Sequence, residues 1–183
     1  MLSINTLMST ETIKTSTTHN EVTIDFSLVS YSKILVPHDT SQMSDRVLSH
    51  AAYIARMTGS RIELLHVLEH AKDIPPSALL TLIGPDKPLE DAKEELQNIV
   101  EAGVRKIMEE KVKICKDQGK IDQITYQIEV GKPVDEIVRI AEKNNFDLIV
   151  MGSSRISSTI RLLGSTTKGV LDSIRKPVLI IHG

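Results

Sequence analysis

Residues Asp147–Gly183 read DLIVMGSSRISSTIRLLGSTTKGVLDSIRKPVLIIHG. The stretch opens with an apolar run, Leu148-Ile149-Val150-Met151, that stops at Gly152 and has the length and composition of a buried strand. A hydroxyl-rich loop follows, carrying Ser153, Ser154, Ser157, Ser158 and Thr159. Gly164-Ser165-Thr166-Thr167 then opens a helix predicted to run to about Ile174, and Pro177 to Ile181 forms a second apolar strand. A strand feeding a Gly/Ser loop into a helix N-terminus is an anion site in outline. The first N–H groups of the helix lack intrahelical partners, and the helix dipole favours negative charge there.

Upstream, the same alternation recurs. Lys33 to Pro37 (KILVP) is a short buried strand, and Ser41 to about Thr58 has helical spacing with Val47, Leu48, Ala51, Ala52, Ile54 and Ala55 as its apolar stripe. Ser41 or Ser44 caps that helix, and Gly59 fits its stop. Arg61 to Leu68 is a second strand. Glu69 to about Pro88 is a long proline-containing connection of the kind that is often functional. Leu89 to about Gln118 is the longest helix, with Leu96, Ile99, Val100, Val104, Ile107, Met108 and Val112 on one stripe. Ile124 to Val130 is a third strand. Pro133 sits in the first turn of the next helix, where Asp135 and Glu136 suit the dipole. The order β-α-β-α-β-α-β-α-β predicts an α/β fold with one parallel sheet covered by helices on both faces. Ligands of such sheets sit beyond the C-terminal strand ends, where strand order reverses. The residues to weigh are therefore Pro37-His38-Asp39, Val67-Leu68-Glu69, Gly131 and Gly152 onward.

Two parts of the chain stand apart. Met1 to about Glu21 is polar and aperiodic and reads as a disordered arm. Val22, Ile24, Phe26 and Leu28 alternate with polar residues, which fits an added edge strand over 22–28 or a polar arm whose alternation is accidental. The folded domain is expected over 31–183.

Composition narrows the function. The chain has 183 residues, a formal net charge of −2 and only 3% aromatic residues with no Trp, so its core must be aliphatic. That charge gives no electrostatic basis for binding nucleic acid or an anionic membrane. No apolar run spans a bilayer and no secretory leader is evident, so a cytoplasmic protein is expected. One cysteine, Cys115, excludes an internal disulfide and a multi-cysteine zinc site. No Walker-type GxxxxGK[ST] and no Ser/His/Asp constellation occurs, so no catalytic residue or metal ligand is assigned. His38 is at most a weak acid/base candidate, and His66 reads as a satisfied core histidine.

Taken in order, KILVPHD, ELLHVLE, VGKPVDEIVRIAEKNNFDLIVMGS and LLGSTTKGVLDSIRKPVLIIH resemble the universal stress protein family from Tyr31 to His182. The resemblance implies a single-domain five-stranded parallel sheet, order 3-2-1-4-5. It also implies a homodimer, often through the last strand, here Pro177 to Ile181. One branch of the family binds ATP through a loop written G-x2-G-x9-G-[S/T]; another lacks the loop and binds no nucleotide. Here Gly152 and the Gly164-Ser165 pair are present, but Arg155 holds the middle glycine position and the loop is one residue short. Arg155 either reshapes the phosphate cradle or places a guanidinium beside the phosphates.

What the resemblance implies for individual residues is an adenine-nucleotide site. Asp39 hydrogen-bonds adenosine, beside His38. Pro37, Val67 and Met151 line the adenine, and Gly152, Ser154, Arg155, Gly164, Ser165, Thr166 and Thr167 hold ribose and phosphates. Ser153, Ser157 and Ser158 read as solvated, and Leu162 and Leu163 as anchors of the loop. Any Mg²⁺ would be held mainly by phosphates and water. The functional expectation is an ATP-binding regulatory protein that signals to a protein partner. The alternatives are a dimeric module without nucleotide and, third, a slow ATPase or self-phosphorylating protein.

Overall fold

The computed structural model describes residues 29–69, 88–153 and 163–183. The expected N-terminal arm and 22–28 strand lie outside them, as do nearly all of the long connection and Ser154, Arg155, Ser157, Ser158, Thr159 and Leu162. Tyr31–Gly183 forms one unit. Its elements are β1 (Lys33–Pro37), α1 (Gln42–Thr58), β2 (Arg61–Leu68), α2 (Leu89–Asp117), β3 (Ile124–Val130), α3 (Pro133–Lys143), β4 (Leu148–Ser153), α4 (Ser165–Ser173) and β5 (Val178–His182). The five strands pair in parallel in the order β3-β2-β1-β4-β5.

Period-two alternation sorts the strand residues onto two apolar layers. Ile34, Val36, Ile62, Leu64, Leu148 and Val150 face α1 and α2, where they meet Val47, Ala51, Val104 and Met108. Leu35, Leu65, Ile149 and Met151 face α3 and α4, where they meet Ile137, Ile140, Ala141 and Val170. Parallel strands buried on both faces explain why β1 and β4 read as unbroken apolar runs.

Local signals set most of the helix boundaries. Ser41 caps α1 by accepting the Ser44 N–H at 3.2 Å. Gly59 ends the helix at φ 73°, a left-handed conformation that glycine adopts without strain. Pro133 stands in the first turn of α3.

Four expectations need correction here. The stripe on α2 is buried at Val104 and Met108, but Ile99, Val100 and Ile107 are exposed. A 29-residue helix is about 43 Å long, whereas the seven-residue β3 beside it spans roughly 23 Å, so α2 outruns the sheet. And β4 does not stop at Met151. Gly152 and Ser153 still pair with Ile181 and His182, and Ser153 is buried rather than solvated. Leu163, expected to anchor the loop, is 37% exposed.

The strand order reverses between β1 and β4. Only two pairs align there, Ile34 with Leu148 and Leu35 with Ile149. At the N-terminal end of this seam the Asp147 carboxylate accepts the N–H groups of Ser32 (2.8 Å) and Lys33 (2.9 Å), and Lys33 Nζ donates to the Asn144 carbonyl (2.7 Å).

Candidate functional site

At the other end of the seam the strands part around a cavity of about 310 Å³, within the range of small-molecule sites. The tip of β1 contributes Pro37, His38 and Asp39. β2 contributes Leu65 and Val67, β4 contributes Met151 and Gly152, and the start of α4 contributes Gly164, Ser165, Thr166 and Thr167. Ten of the twelve residues singled out from sequence therefore surround one cavity. The other two, Ser154 and Arg155, lie outside the described residues.

Asp39 is fixed by its neighbours. Its Oδ1 accepts the Ser41 N–H (3.0 Å), the Ser41 hydroxyl (2.6 Å) and the Ser44 hydroxyl (2.5 Å). Burial alone would raise this carboxyl, but the hydrogen bonds from Ser41 and Ser44 outweigh it and hold the group below the usual aspartate value. Asp39 is thus an anion whose one oxygen is committed to the protein, leaving Oδ2 with no hydrogen bond among the described residues.

His38 stands at the cavity wall, but its ring is fully buried. The Thr40 N–H donates to Nδ1 at 3.1 Å, so Nδ1 is the bare acceptor and Nε2 carries the hydrogen toward Asp45 Oδ1 at 3.2 Å. Burial pulls the ring below the ordinary histidine value, against the upward pull of Asp45. With both nitrogens occupied, His38 offers the cavity neither acid nor base. His66, buried in β2, donates Nδ1–H to the His38 carbonyl at 2.7 Å, as a satisfied core histidine would.

The start of α4 has no side-chain cap. Gly164 precedes it in an extended conformation, and its carbonyl accepts the Lys168 N–H at 2.9 Å. The first N–H groups of the helix are therefore available at the cavity wall. Thr167 does not cap. It is buried, and its hydroxyl turns back to the Gly152 carbonyl at 2.7 Å. Gly152 itself is a close-packing position, because a Cβ there would sit 3.1 Å from Met43 Cγ and 3.2 Å from Val47 Cγ2.

Sequence reasoning missed six lining residues: Ser41, Met43, Ser44, Leu65, Pro133 and Ile137. Ser41 and Ser44 were noticed only as helix caps, and their spacing from Asp39 was the available clue. Pro133 and Ile137 reach the cavity from α3 across the sheet, which leaves no local trace in the chain. The cavity's chemistry is an apolar slot of Pro37, Leu65, Val67, Ile137 and Met151, flanked by a carboxylate at one strand end and free helix N–H groups at the other. Such a site suits a flat apolar ring bearing donors, joined to an anion. No helix among the described residues is long and apolar enough to cross a membrane.

Known proteins resemble this chain in sequence and in fold. Residues 30–182 match the universal stress protein family model. The chain is 36% identical over 159 residues to universal stress protein MJ0577 of Methanocaldococcus jannaschii, an alignment covering 84% of this chain and 96% of that protein. The solved MJ0577 structure superposes with a TM-score of 0.65 and 28% identity, over 85% of this chain and 98% of the other. A universal stress protein from Archaeoglobus fulgidus, solved in complex with dAMP, superposes with a TM-score of 0.56 and 25% identity, over 84% and 99%. On sequence, topology and extent alike, the chain belongs to the universal stress protein family.

Proposed function

We propose that this protein binds an adenine nucleotide, ATP in the first instance, in the cavity between β1 and β4, and acts as a regulatory protein rather than an enzyme of rapid turnover. One observation carries the reading: the Asp39 carboxylate and the uncapped N-terminus of α4 flank the same apolar slot at the switch point. The adenine would lie between Pro37, Val67 and Met151, with Asp39 accepting from the nucleoside. Phosphates would meet the N–H groups of Ser165 to Thr167, with Ser154 and Arg155 closing the phosphate side. The A. fulgidus relative solved with dAMP supports the ligand class. Any Mg²⁺ would be held by phosphates and water, since among the described residues the lining has no second carboxylate beside Asp39.

A cytoplasmic homodimer through β5 completes the proposal. The outer edge of that strand is unpaired among the described residues, and Leu179 on it is 37% exposed. Nucleotide occupancy would then be read by a protein partner.

Calorimetric titration with ATP, ADP and AMP, with and without Mg²⁺, tests the reading. ATP should bind, and Asp39→Asn should weaken it roughly tenfold through loss of one charge-assisted hydrogen bond. No heat at millimolar ATP would favour the second reading, a dimeric module without nucleotide, for which Arg155 in the middle glycine position and the loop one residue short are the arguments. Gly152→Val is a poor probe, because its side chain would press on Met43 and Val47 of α1.

A further inference from the structure

Behind the cavity wall runs a chain of contacts that links the long helix α2 to the Asp39 turn. Lys111 Nζ on α2 lies 2.7 Å from Asp45 Oδ1 and 2.9 Å from Oδ2 on α1. Asp45 Oδ1 faces His38 Nε2 at 3.2 Å, and His38 Nδ1 accepts the Thr40 N–H at 3.1 Å. Thr40 stands at φ 67°, in the left-handed region that a β-branched residue adopts only under constraint. Its neighbour is Asp39, and the serine hydroxyls that clamp Asp39 lie on the first turn of α1 beside Asp45.

We propose that Lys111 and Asp45 are positioning residues, which act through the neutral Nε2–H form of His38 to hold the 38–41 turn and so fix Asp39 at the cavity. The inference rests on the nucleotide reading only for what Asp39 binds. The logic is one of donors and acceptors. Thr40 can keep its N–H bond only while Nδ1 is bare. Asp45 needs a hydrogen on Nε2, so it selects the tautomer that leaves Nδ1 bare. A proton added at Nδ1 turns that atom into a donor facing another donor, and the strained turn loses the contact that restrains it.

The charged and titratable groups around the ring come from every neighbouring segment. Asp45 on α1 and Asp39 in the turn favour protonation, whereas Lys111 on α2 opposes it along with burial. His66 on β2 holds the His38 carbonyl. Removing Lys111 and removing the Asp45 charge therefore push the ring's titration in opposite directions. That split in the ring's titration follows from charge alone; what a passive ion pair would not produce is a Thr40 amide and an ATP affinity that both follow each variant's own midpoint.

The test is nitrogen-15 NMR of the full chain across pH 8 to 5, following the His38 ring and the Thr40 amide, with ATP affinity measured at the same pH values. In the wild type both signals should titrate together, with a midpoint below that of an exposed histidine. Lys111→Met should move the midpoint up and Asp45→Asn should move it down. ATP affinity should fall roughly three- to tenfold on the acid side of each protein's own midpoint, the effect of losing one hydrogen bond. The ionisation of ATP is common to all three proteins and drops out of the comparison between them. A Thr40 amide that does not follow His38, or midpoints that fail to move in opposite directions, would overturn the proposal. The wild-type titration needs no substitution, so a Thr40 amide that ignores His38 there overturns the proposal even where one variant unfolds, and Lys111→Arg and Asp45→Glu, which keep the charges, should restore the wild-type midpoint. The expected titrations with no ATP binding at any pH would uphold the positioning chain and sink the nucleotide reading.

Discussion

The Thr167 hydroxyl donates to the Gly152 carbonyl across 2.7 Å, joining residues 15 apart in sequence. The bond ties the first turn of α4 to the end of β4, the two elements that residues 154–164 connect. The placement of the helix N-terminus at the cavity therefore depends on this bond as well as on the loop's own sequence.

Thr167→Val keeps the shape of the side chain but leaves the Gly152 carbonyl without that donor in a buried setting. It should cost about 1–2 kcal/mol in urea unfolding. Thr167→Ser should recover most of the loss. Equal stability of the valine variant and the wild type would show that the bond contributes nothing.

Gly169 lets α4 approach α3. A Cβ at this position would lie 2.7 Å from Val134 Cγ2 and 3.1 Å from Cγ1. Valine in a helix has one strongly preferred rotamer and cannot swing aside cheaply. Overpacking should cost about 1–3 kcal/mol, against a propensity gain of about 1 kcal/mol for alanine over glycine. Gly169→Ala should thus destabilise the protein, while in a Val134→Ala background the same change should stabilise it. Thermal or urea melts of the four proteins measure the coupling directly.

Glu63 on β2 has a buried Oε1 without a hydrogen-bond partner among the described residues. Burial raises its carboxyl above the usual value, and nearby Lys33 and Arg61 offset this only in part. The folded state therefore holds this proton more tightly than the unfolded chain does. Its contribution is fully present below pH 4.5 and is lost as pH rises through the raised folded value. Glu63→Gln should accordingly gain on the wild type as pH climbs from 4 to 7. Urea midpoints across that range check the sign, and parallel curves for the two proteins would contradict it.

Most of the fold was legible because parallel strands buried on both faces write themselves as apolar runs. β2 and β3 were bounded from sequence to the residue, and Gly59 and Pro133 marked helix ends through backbone geometry that is local. The same logic overreached at Gly152. A glycine after an apolar run reads as a stop, yet here the strand continues because Ile181 still pairs with it and α1 packs against the space a side chain would fill. The stripe on α2 misled for a related reason: periodicity shows which face is apolar, not how far the sheet extends beneath it. Within the site, topology points to the strand ends, but Leu68, Glu69 and Gly131 sit at strand ends without lining the cavity, and the family resemblance is what singles out Val67 and Met151. Ser44, Pro133 and Ile137 were missed because their roles depend on which helix crosses which strand. The tautomer of His38 was beyond sequence altogether, since it is fixed by an amide two residues ahead and a carboxylate seven residues ahead.

The short seam between β1 and β4 gives the molecule a mechanical character. The sheet is two leaves, β3-β2-β1 and β4-β5, bound along a spine of two aligned pairs and riveted at one end by Asp147. Toward the free end no aligned pair crosses the gap, so a swing of one leaf about the rivet would widen the mouth without separating a paired rung of the sheet. The stiffness of that swing is set by the helices bridging the leaves, α1 and α3, and both of them contribute residues to the cavity wall.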